Sequence, residues 1–282
     1  MQSADAMDAR KQQGADFWNA NPCGGEWPTY RAFFDWYQRT EPYMYRIFDA
    51  HDWRGVHVLD VGCGQGTALN YLPPKGARVT GIDMSLNSAF QARAGARELG
   101  HAGQITVGIA DAEHLPFPDA SFDRVISVGV LHHTPDTEAG IREVYRVLKP
   151  GGLAIVMLYR SGNPKWWATA TLRGISKLVD RMSGRDFVIA DRLRAGREVG
   201  SSQGTALLEL FGVPVLRAYS NRQCRRMFSD FAEVRITNHQ PGFERLGDIV
   251  GWLRPIGGLL GFIDRHMENP WGFYQVIEAR KA

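Results

Sequence analysis

Two adjacent histidines, His132 and His133, close an apolar run from Phe122 to Val130 and are followed by Thr134-Pro135-Asp136. Imidazole titrates near neutrality, so a histidine at the end of a buried strand can take or hold a proton in a pocket. Neighbouring side chains do not easily reach one atom, which leaves a structural duty open for one of the pair. A second group of residues points to what such a pocket holds. The run Val58-Leu59-Asp60-Val61 breaks at Gly62-Cys63-Gly64-Gln65-Gly66-Thr67, three glycines spaced two apart. Glycine lets the backbone turn sharply and approach a ligand with no Cβ in the way. Asp83 ends the next apolar run about 20 residues after Gly62, where nucleoside-binding folds place a carboxylate on the ribose hydroxyls. Asp111 ends a third run, where a short polar side chain can bond the exocyclic amine of adenine; an Asx turn is its alternative reading. Dinucleotide sites use G-x-G-x-x-G, and here the position of that third glycine is Thr67, so a dinucleotide is disfavoured.

These residues need a sheet whose strands all end on one edge. From Val56 onward, strand and helix signals alternate as βαβ units do. The strands are Val56 to Val61, Ala77 to Ile82, Ile105 to Ala110, Phe122 to Val130 and Leu153 to Tyr159. Helices fall between them, from Thr67 to Leu72 before Pro73-Pro74, from an N-cap at Ser85 to Leu99, and from Thr137 to Leu148. Lys149-Pro150-Gly151-Gly152 stops the last of these and turns the chain. A helix Asn221 to Phe231 and strands Glu233 to His239 and Gly272 to Arg280 complete the pattern. Leu246 to Met267 is apolar and glycine-rich, interrupted by Pro255.

Ahead of this core, Met1 to Gly14 is polar and reads as a frayed start. Phe17 to Phe48 then carries eleven aromatic residues, with Tyr30, Phe33, Phe34 and Tyr37 at helical spacing. They read either as a helix pair packed on the next domain or as a lid, with Tyr37 and Tyr43 reaching the pocket. Arg160 to Gly212 holds Trp166-Trp167, a helical stretch Ala168 to Met182, and Arg192, Arg194 and Arg197. The expected division is a helical lid segment over 1–52, a ligand-binding core over 53–160, a helical insertion over 161–215 and the rest of the sheet over 216–282.

Composition narrows the partners. The chain has 282 residues, 44% of them apolar, and 33 basic against 30 acidic residues for a net charge of +3, enough for a full core and no demand for wholesale nucleic-acid binding. Cys23, Cys63 and Cys224 stand far apart and are odd in number, which argues against a disulfide framework or a structural zinc site; no metal is expected. The polar start is not a secretory signal, and no 18-residue apolar run spans a membrane. A cytoplasmic, reducing setting is the expectation.

Taken together, Leu59 to Gly66, Gly81-Ile82-Asp83, Asp111-Ala112-Glu113, Leu131-His132-His133 and Leu148-Lys149-Pro150-Gly151-Gly152 resemble, in that order, the motifs of class I S-adenosylmethionine-dependent methyltransferases. Within that family they are most similar to the small-molecule and quinone methyltransferase branch. The resemblance covers residues 56 to 159 and weakens beyond Tyr159. It implies an α/β fold with a Rossmann-like seven-stranded sheet in the order 3-2-1-4-5-7-6, and S-adenosylmethionine as cofactor, leaving S-adenosylhomocysteine. It implies cofactor contacts from Asp60, Gly62, Cys63, Gly64, Gly66, Asp83, Met84, Asp111, Ala112, Val128, His133 and Tyr37. Chemistry falls to His132, His133 and Tyr43. Tyr30 and Tyr159 are alternative orienting hydroxyls, and Glu26, Arg160 and Asn163 further polar candidates. The expected acceptor is a small, aromatic or apolar metabolite methylated on oxygen, carbon or nitrogen, and a homodimer is allowed.

Two rival functions remain at this point. Arg217, Arg222, Arg225 and Arg226 suggest a nucleic-acid methyltransferase, against which stand the low net charge and the absence of an Asn/Asp-Pro-Pro-aromatic motif where Leu131-His132-His133 lies. The other rival is a regulatory protein that binds the cofactor without transferring its methyl group.

Overall fold

Alternating strand and helix signals resolve into one seven-stranded sheet in the order β3-β2-β1-β4-β5-β7-β6. The computed structural model describes residues 4–25, 27–190, 210–241, 255 and 257–282. The strands are β1 (His57–Val61), β2 (Arg78–Asp83), β3 (Ile105–Ile109), β4 (Phe122–Val128), β5 (Leu148–Tyr159), β6 (Glu233–His239) and β7 (Tyr274–Arg280). The first five pair in parallel, and β7 runs antiparallel between β5 and β6. Side chains of a strand alternate between faces, so the sheet feeds two cores. Val58, Ile155 and Met157 join Phe48, Trp53, Leu69 and Leu72 on one side. Leu59, Ala154 and Val156 join Leu131, Ile141, Val144 and Phe228 on the other.

Parallel strands bring their carboxyl ends to one edge. β7 leaves that edge in the other direction and β6 ends on it: Tyr159, the last residue of β5, pairs with Tyr274, the first of β7, and Tyr274 pairs with His239, the last of β6. Three ring-bearing residues therefore stand level in neighbouring strands.

The helices are α1 (Ala4–Ala20), α2 (Tyr30–Thr40), α3 (Pro42–Asp49), α4 (Thr67–Tyr71), α5 (Leu86–Glu98), α6 (Thr137–Val147) and α7 (Pro164–Ser183), followed by Asn221–Met227, Gly257–His266 and Glu268–Trp271. Ser85 caps α5 by accepting from the Ser88 amide, as its position before an apolar run predicts. The aromatic stretch forms α2 and α3. Glu98 of α5 accepts from the amides of Tyr30 and Arg31 at 3.1 and 3.0 Å and so holds the start of α2.

Two expectations change. The polar start is helical from Ala4, not frayed, and its Lys11 pairs with Asp111 at the sheet edge. The fifth strand begins at Leu148 rather than Leu153: Phe122 pairs with Leu148 and Arg124 with Leu153, so Lys149 to Gly152 bulges out of the ladder while pairing continues on either side. Among the described residues no helix is long and apolar enough to cross a membrane. Glu26, Arg192, Arg194, Arg197 and most of the Leu246 to Met267 stretch before Gly257 lie outside the described residues.

Candidate active site

Gly62, Gly64 and Gly66 all adopt left-handed backbone, with φ of 72°, 52° and 86°. Only glycine holds such angles without strain. A Cβ on Gly62 would lie 2.3 Å from Val130, whereas one on Gly64 would meet nothing within 4 Å. The loop is fastened to β2 by its amides. Gly62 and Cys63 both donate to the Ile82 carbonyl at 2.8 Å, and Gly64 donates to Asp83 Oδ2 at 2.8 Å. The other oxygen of Asp83 accepts from the Ser85 amide at 2.8 Å. Burial raises the Asp83 pKa, and the amides of Ser85, Gly64 and Met84 pull against that rise.

Behind the loop, Asp60 is 2% exposed and its Oδ2 has no hydrogen-bond partner. Burial, and then the charge of Asp83, push its carboxyl up to about 7. A buried carboxylate oxygen without a partner, beside a second acid, is a place for a cation or a hydrogen-bond donor. Tyr30 donates its hydroxyl to the Gly66 carbonyl at 2.8 Å and receives Asn70 Nδ2 at 2.8 Å, so it braces the loop. Gln65 donates to the carbonyls of Cys23 and Gly25 and ties the turn before α2 to the same loop. Cys63 is buried and its thiol is pushed up by that burial, away from the reactive thiolate range.

At the end of β3, Asp111 accepts from the Glu113 amide through Oδ1 and from Lys11 Nζ through Oδ2, the latter at 2.6 Å. Lys11 also pairs with Glu113 Oε2 at 2.7 Å. Burial alone would raise the Asp111 carboxyl and lower the Lys11 ammonium; hydrogen bonds between them and to Glu113 and His114 reverse both shifts. Asp111, Glu113 and His114 are the one group among the described residues with metal-ligand spacing, and the Lys11 ammonium already contacts both carboxylates. Ala112 is buried between them, while Met84 and Val128 are half-buried at the ends of β2 and β4.

The histidine pair forms a short turn, Leu131 to His133, after β4. His133 Nδ1 is 2.9 Å from the Val215 carbonyl. A carbonyl only accepts, so Nδ1 donates to it and Nε2 is the nitrogen with which the ring can take up a proton. His132 is fully buried, and neither of its ring nitrogens has a partner. Burial, and then the neighbouring His133, hold its pKa well below the usual range, so it is neutral. A run of rings follows the sheet edge: Trp18 lies 5.3 Å from His133, His133 4.3 Å from His132, and His132 3.9 Å from Tyr159. Tyr159 continues to Tyr274 at 5.6 Å, and Tyr43 stacks between Tyr274 and His239. Tyr43 is 1% exposed, deep within that stack. Tyr37 is half-buried among Phe33 and Trp36, and burial pushes its hydroxyl well up.

Asn163 caps α7 by accepting from Lys165 and donates to the Trp271 carbonyl, and Arg160 donates to the Pro270 carbonyl. Both side chains join segments of the chain to each other. Arg217 donates its amide to the His132 carbonyl, and Arg222, Arg225 and Arg226 lie on an exposed helix face. Trp18 belongs to the aromatic stretch read as a packed helix pair or a lid, whereas Lys11 and Val215 were not singled out in the sequence. Both of the latter sit in stretches without apolar periodicity, and their roles arise from pairing over 80 or more residues.

Comparison with known proteins agrees with this geometry. Residues 59–156 match a family model described as a methyltransferase domain. The chain is 36% identical over 157 residues to methyltransferase GfsG of Streptomyces halstedii, covering 55% of this chain and 56% of that protein. It is 40% identical over 99 residues to the 27-O-demethylrifamycin SV methyltransferase of Amycolatopsis mediterranei, covering 35% and 36%. The chain thus spans about half or less of the length of these curated relatives. A solved structure of a possible histamine N-methyltransferase from Thermotoga maritima shares the fold, with a TM-score of 0.56 at 15% identity over 95% of this chain and 99% of that one. The strand order, the glycine loop bound to Asp83 and the match over the same residues lead to one conclusion: residues 59–156 form a methyltransferase domain similar to those of the class I S-adenosylmethionine-dependent methyltransferases, whose methyl donor is S-adenosylmethionine.

Proposed function

We propose that the chain transfers a methyl group from S-adenosylmethionine to oxygen, carbon or nitrogen of a small aromatic or apolar molecule. The observation that carries this reading is a juxtaposition: the glycine loop and the ring-lined wall that ends in His133 share one edge of the sheet. The unpartnered oxygen of Asp60 and the open space over Gly64 suit a cationic ligand lying against the loop. In this reading Asp60, Gly62, Cys63, Gly64 and Gly66 hold the methionine portion, Asp83 and Met84 the ribose, and Asp111 and Ala112 the adenine. Val128, Tyr37 and His133 line the space between. When bound, the cofactor supplies a methyl group on a sulfonium, whose thioether leaving group departs neutral and needs no acid.

The protein's own contribution is then alignment, dryness and removal of a proton from the acceptor. His133 serves as the base through Nε2, its ring held by the bond from Nδ1 to Val215. His132 stays neutral and packs between His133 and Tyr159. Tyr159 and Tyr274 offer flat apolar surface on which an aromatic or polycyclic acceptor can lie, and Tyr43 backs that surface from within the stack. The names of relatives, which include a demethylrifamycin O-methyltransferase and sterol C-methyltransferases, support an organic acceptor. Cys63 and Cys224 are buried thiols far apart in the fold, which supports residence in a reducing cytoplasm.

The test is to incubate the chain with S-adenosylmethionine and a panel of phenols, apolar alcohols and amines, and to measure S-adenosylhomocysteine. Product that depends on an added acceptor supports the reading. Tight cofactor binding with no turnover across the panel would favour a regulatory role instead.

A further inference from the structure

Helix α7 shows an inverted surface. With about 100° between successive residues, Trp167, Thr171, Ile175, Leu178 and Met182 share one arc. Trp167 is 59% exposed, Ile175 52%, Leu178 56% and Met182 81%. The Thr171 hydroxyl on that arc donates to the Trp167 carbonyl within the helix, so it offers no donor outward. On the opposite arc Ser176 is buried, Arg173 donates to the carbonyls of Leu210 and Val213, and Asp180 accepts from the Val188 amide. A helix on the surface of a globular protein ordinarily turns its apolar stripe inward; α7 turns its polar partners inward and its apolar stripe out. Lys177 and Arg181, both exposed, border the stripe, and no acidic residue lies on the outward arc.

The stripe does not stand alone. α7 leaves β5 at the Tyr159 end, and the helix Gly257–His266, which precedes β7 at the same edge, exposes Leu259 and Phe262. The α7 cap residue Asn163 joins the two regions through the Trp271 carbonyl, and the Trp271 ring is itself 39% exposed. Eight of the large apolar side chains exposed among the described residues lie in these two regions: Trp167, Leu172, Ile175, Leu178 and Met182 with Leu259, Phe262 and Trp271.

We propose that this edge docks on an anionic lipid surface, with α7 lying in the plane of the interface. Trp167, Ile175, Leu178 and Met182 enter the boundary between headgroups and acyl chains, and Lys177 and Arg181 meet lipid phosphates. Charge decides between this occupant and a second copy of the chain. A copy seated on the same face would bring the same cations with no acid on the outward arc to meet them, whereas an anionic bilayer supplies the opposite charge. Docking is independent of the methyl-transfer reading and is measured without turnover.

The experiment is co-sedimentation of the full chain with sucrose-loaded vesicles of phosphatidylcholine alone or mixed with phosphatidylglycerol. The chain binds the mixed vesicles, and binding weakens as salt rises. Each basic residue near such a surface contributes roughly fivefold in affinity, so Lys177→Gln with Arg181→Gln lowers partitioning about thirtyfold. Leu178→Ser with Met182→Ser abolishes it, and both double variants keep the wild-type melting temperature because these side chains are exposed. Brominated lipid quenches wild-type tryptophan fluorescence, and Trp167→Phe lowers that quenching by half or more. Absence of vesicle binding by the folded chain, or equal binding by both double variants, overturns the proposal. So does a dimer, measured by light scattering, that Leu178→Ser with Met182→Ser converts to a monomer while vesicle binding is absent.

Discussion

Lys11 Nζ lies 2.6 Å from Asp111 Oδ2, which fastens the amino-terminal helix to the end of β3 across 100 residues of chain. The same ammonium reaches Glu113, which is 3% exposed and whose other oxygen accepts from the Asp136 amide at the start of α6. Removing the cation leaves a buried carboxylate unpaired. Lys11→Met is expected to cost on the order of 2 kcal/mol, below the value for a fully buried pair because Asp111 is partly solvated. Urea denaturation measures the cost, and limited proteolysis should show earlier cleavage within α1. Unchanged unfolding would mean that the contact is ornamental.

Asp60 predicts a pH dependence opposite to that of most acids. Its folded pKa, pushed up to about 7, lies above the ordinary 3.8, so the folded protein holds a proton that the unfolded chain has lost. Stability therefore falls as pH rises between about 4 and about 7, by on the order of 4 kcal/mol at full effect. Asp60→Asn removes the ionisation without changing the shape. The variant should melt higher than wild type at pH 8 and close to wild type at pH 5, while losing affinity for the cationic cofactor. Parallel melting curves for the two proteins across that range would contradict the assignment.

The histidines separate by burial. His133→Ala should lower kcat by about 10²- to 10⁴-fold, the span of a general base, with S-adenosylhomocysteine affinity nearly unchanged. His132→Phe fills the same space between His133 and Tyr159 and removes two unpartnered nitrogens. It should hold or raise stability, by up to about 2 kcal/mol, and keep turnover within a few fold. Activity and thermal melts on the two variants check both statements; a collapse of turnover in His132→Phe with His133→Ala unimpaired would reverse the roles.

Much of this was legible in the residues. The break at Gly62-Cys63-Gly64-Gln65-Gly66, the acids Asp83 and Asp111 and the pair His132-His133 mark strand ends, because a parallel strand buried on both faces reads as an apolar run that stops where the backbone reaches solvent. The order of the last two strands came only with the family resemblance, since pairing between β5 and β7 spans more than 100 residues and leaves no local trace. The bulge at Lys149 to Gly152 was hidden for a related reason: Pro and Gly signal a turn, and the ladder to β4 resumes beyond it.

Within the site, the glycine loop was the clearest part and the supports of the histidines the least. Val215, which fixes the His133 ring, is an apolar residue contributing only its carbonyl, and any residue type offers one. Lys11 sits in the polar part of a helix whose apolar contacts, Phe17 and Trp18, come only at its end, so periodicity could not reveal the ion triad. Tyr30, read as a hydroxyl for orienting the acceptor, is bound to the Gly66 carbonyl and Asn70 because α2 packs across α5 at Gly95, where a Cβ would come within 2.4 Å of its ring.

The central claim is that the loop from Gly62 to Gly66 binds S-adenosylmethionine, and calorimetric titration with S-adenosylhomocysteine tests it most directly. Gly64 is the position to change: its φ of 52° costs an alanine only about 1 kcal/mol, and its Cβ would stand in open space rather than in the core. The account predicts saturable one-to-one binding by the wild-type chain and at least a tenfold loss in Gly64→Ala, with the variant still folded. No binding by the folded wild-type chain, or equal affinity in the two proteins, would contradict it.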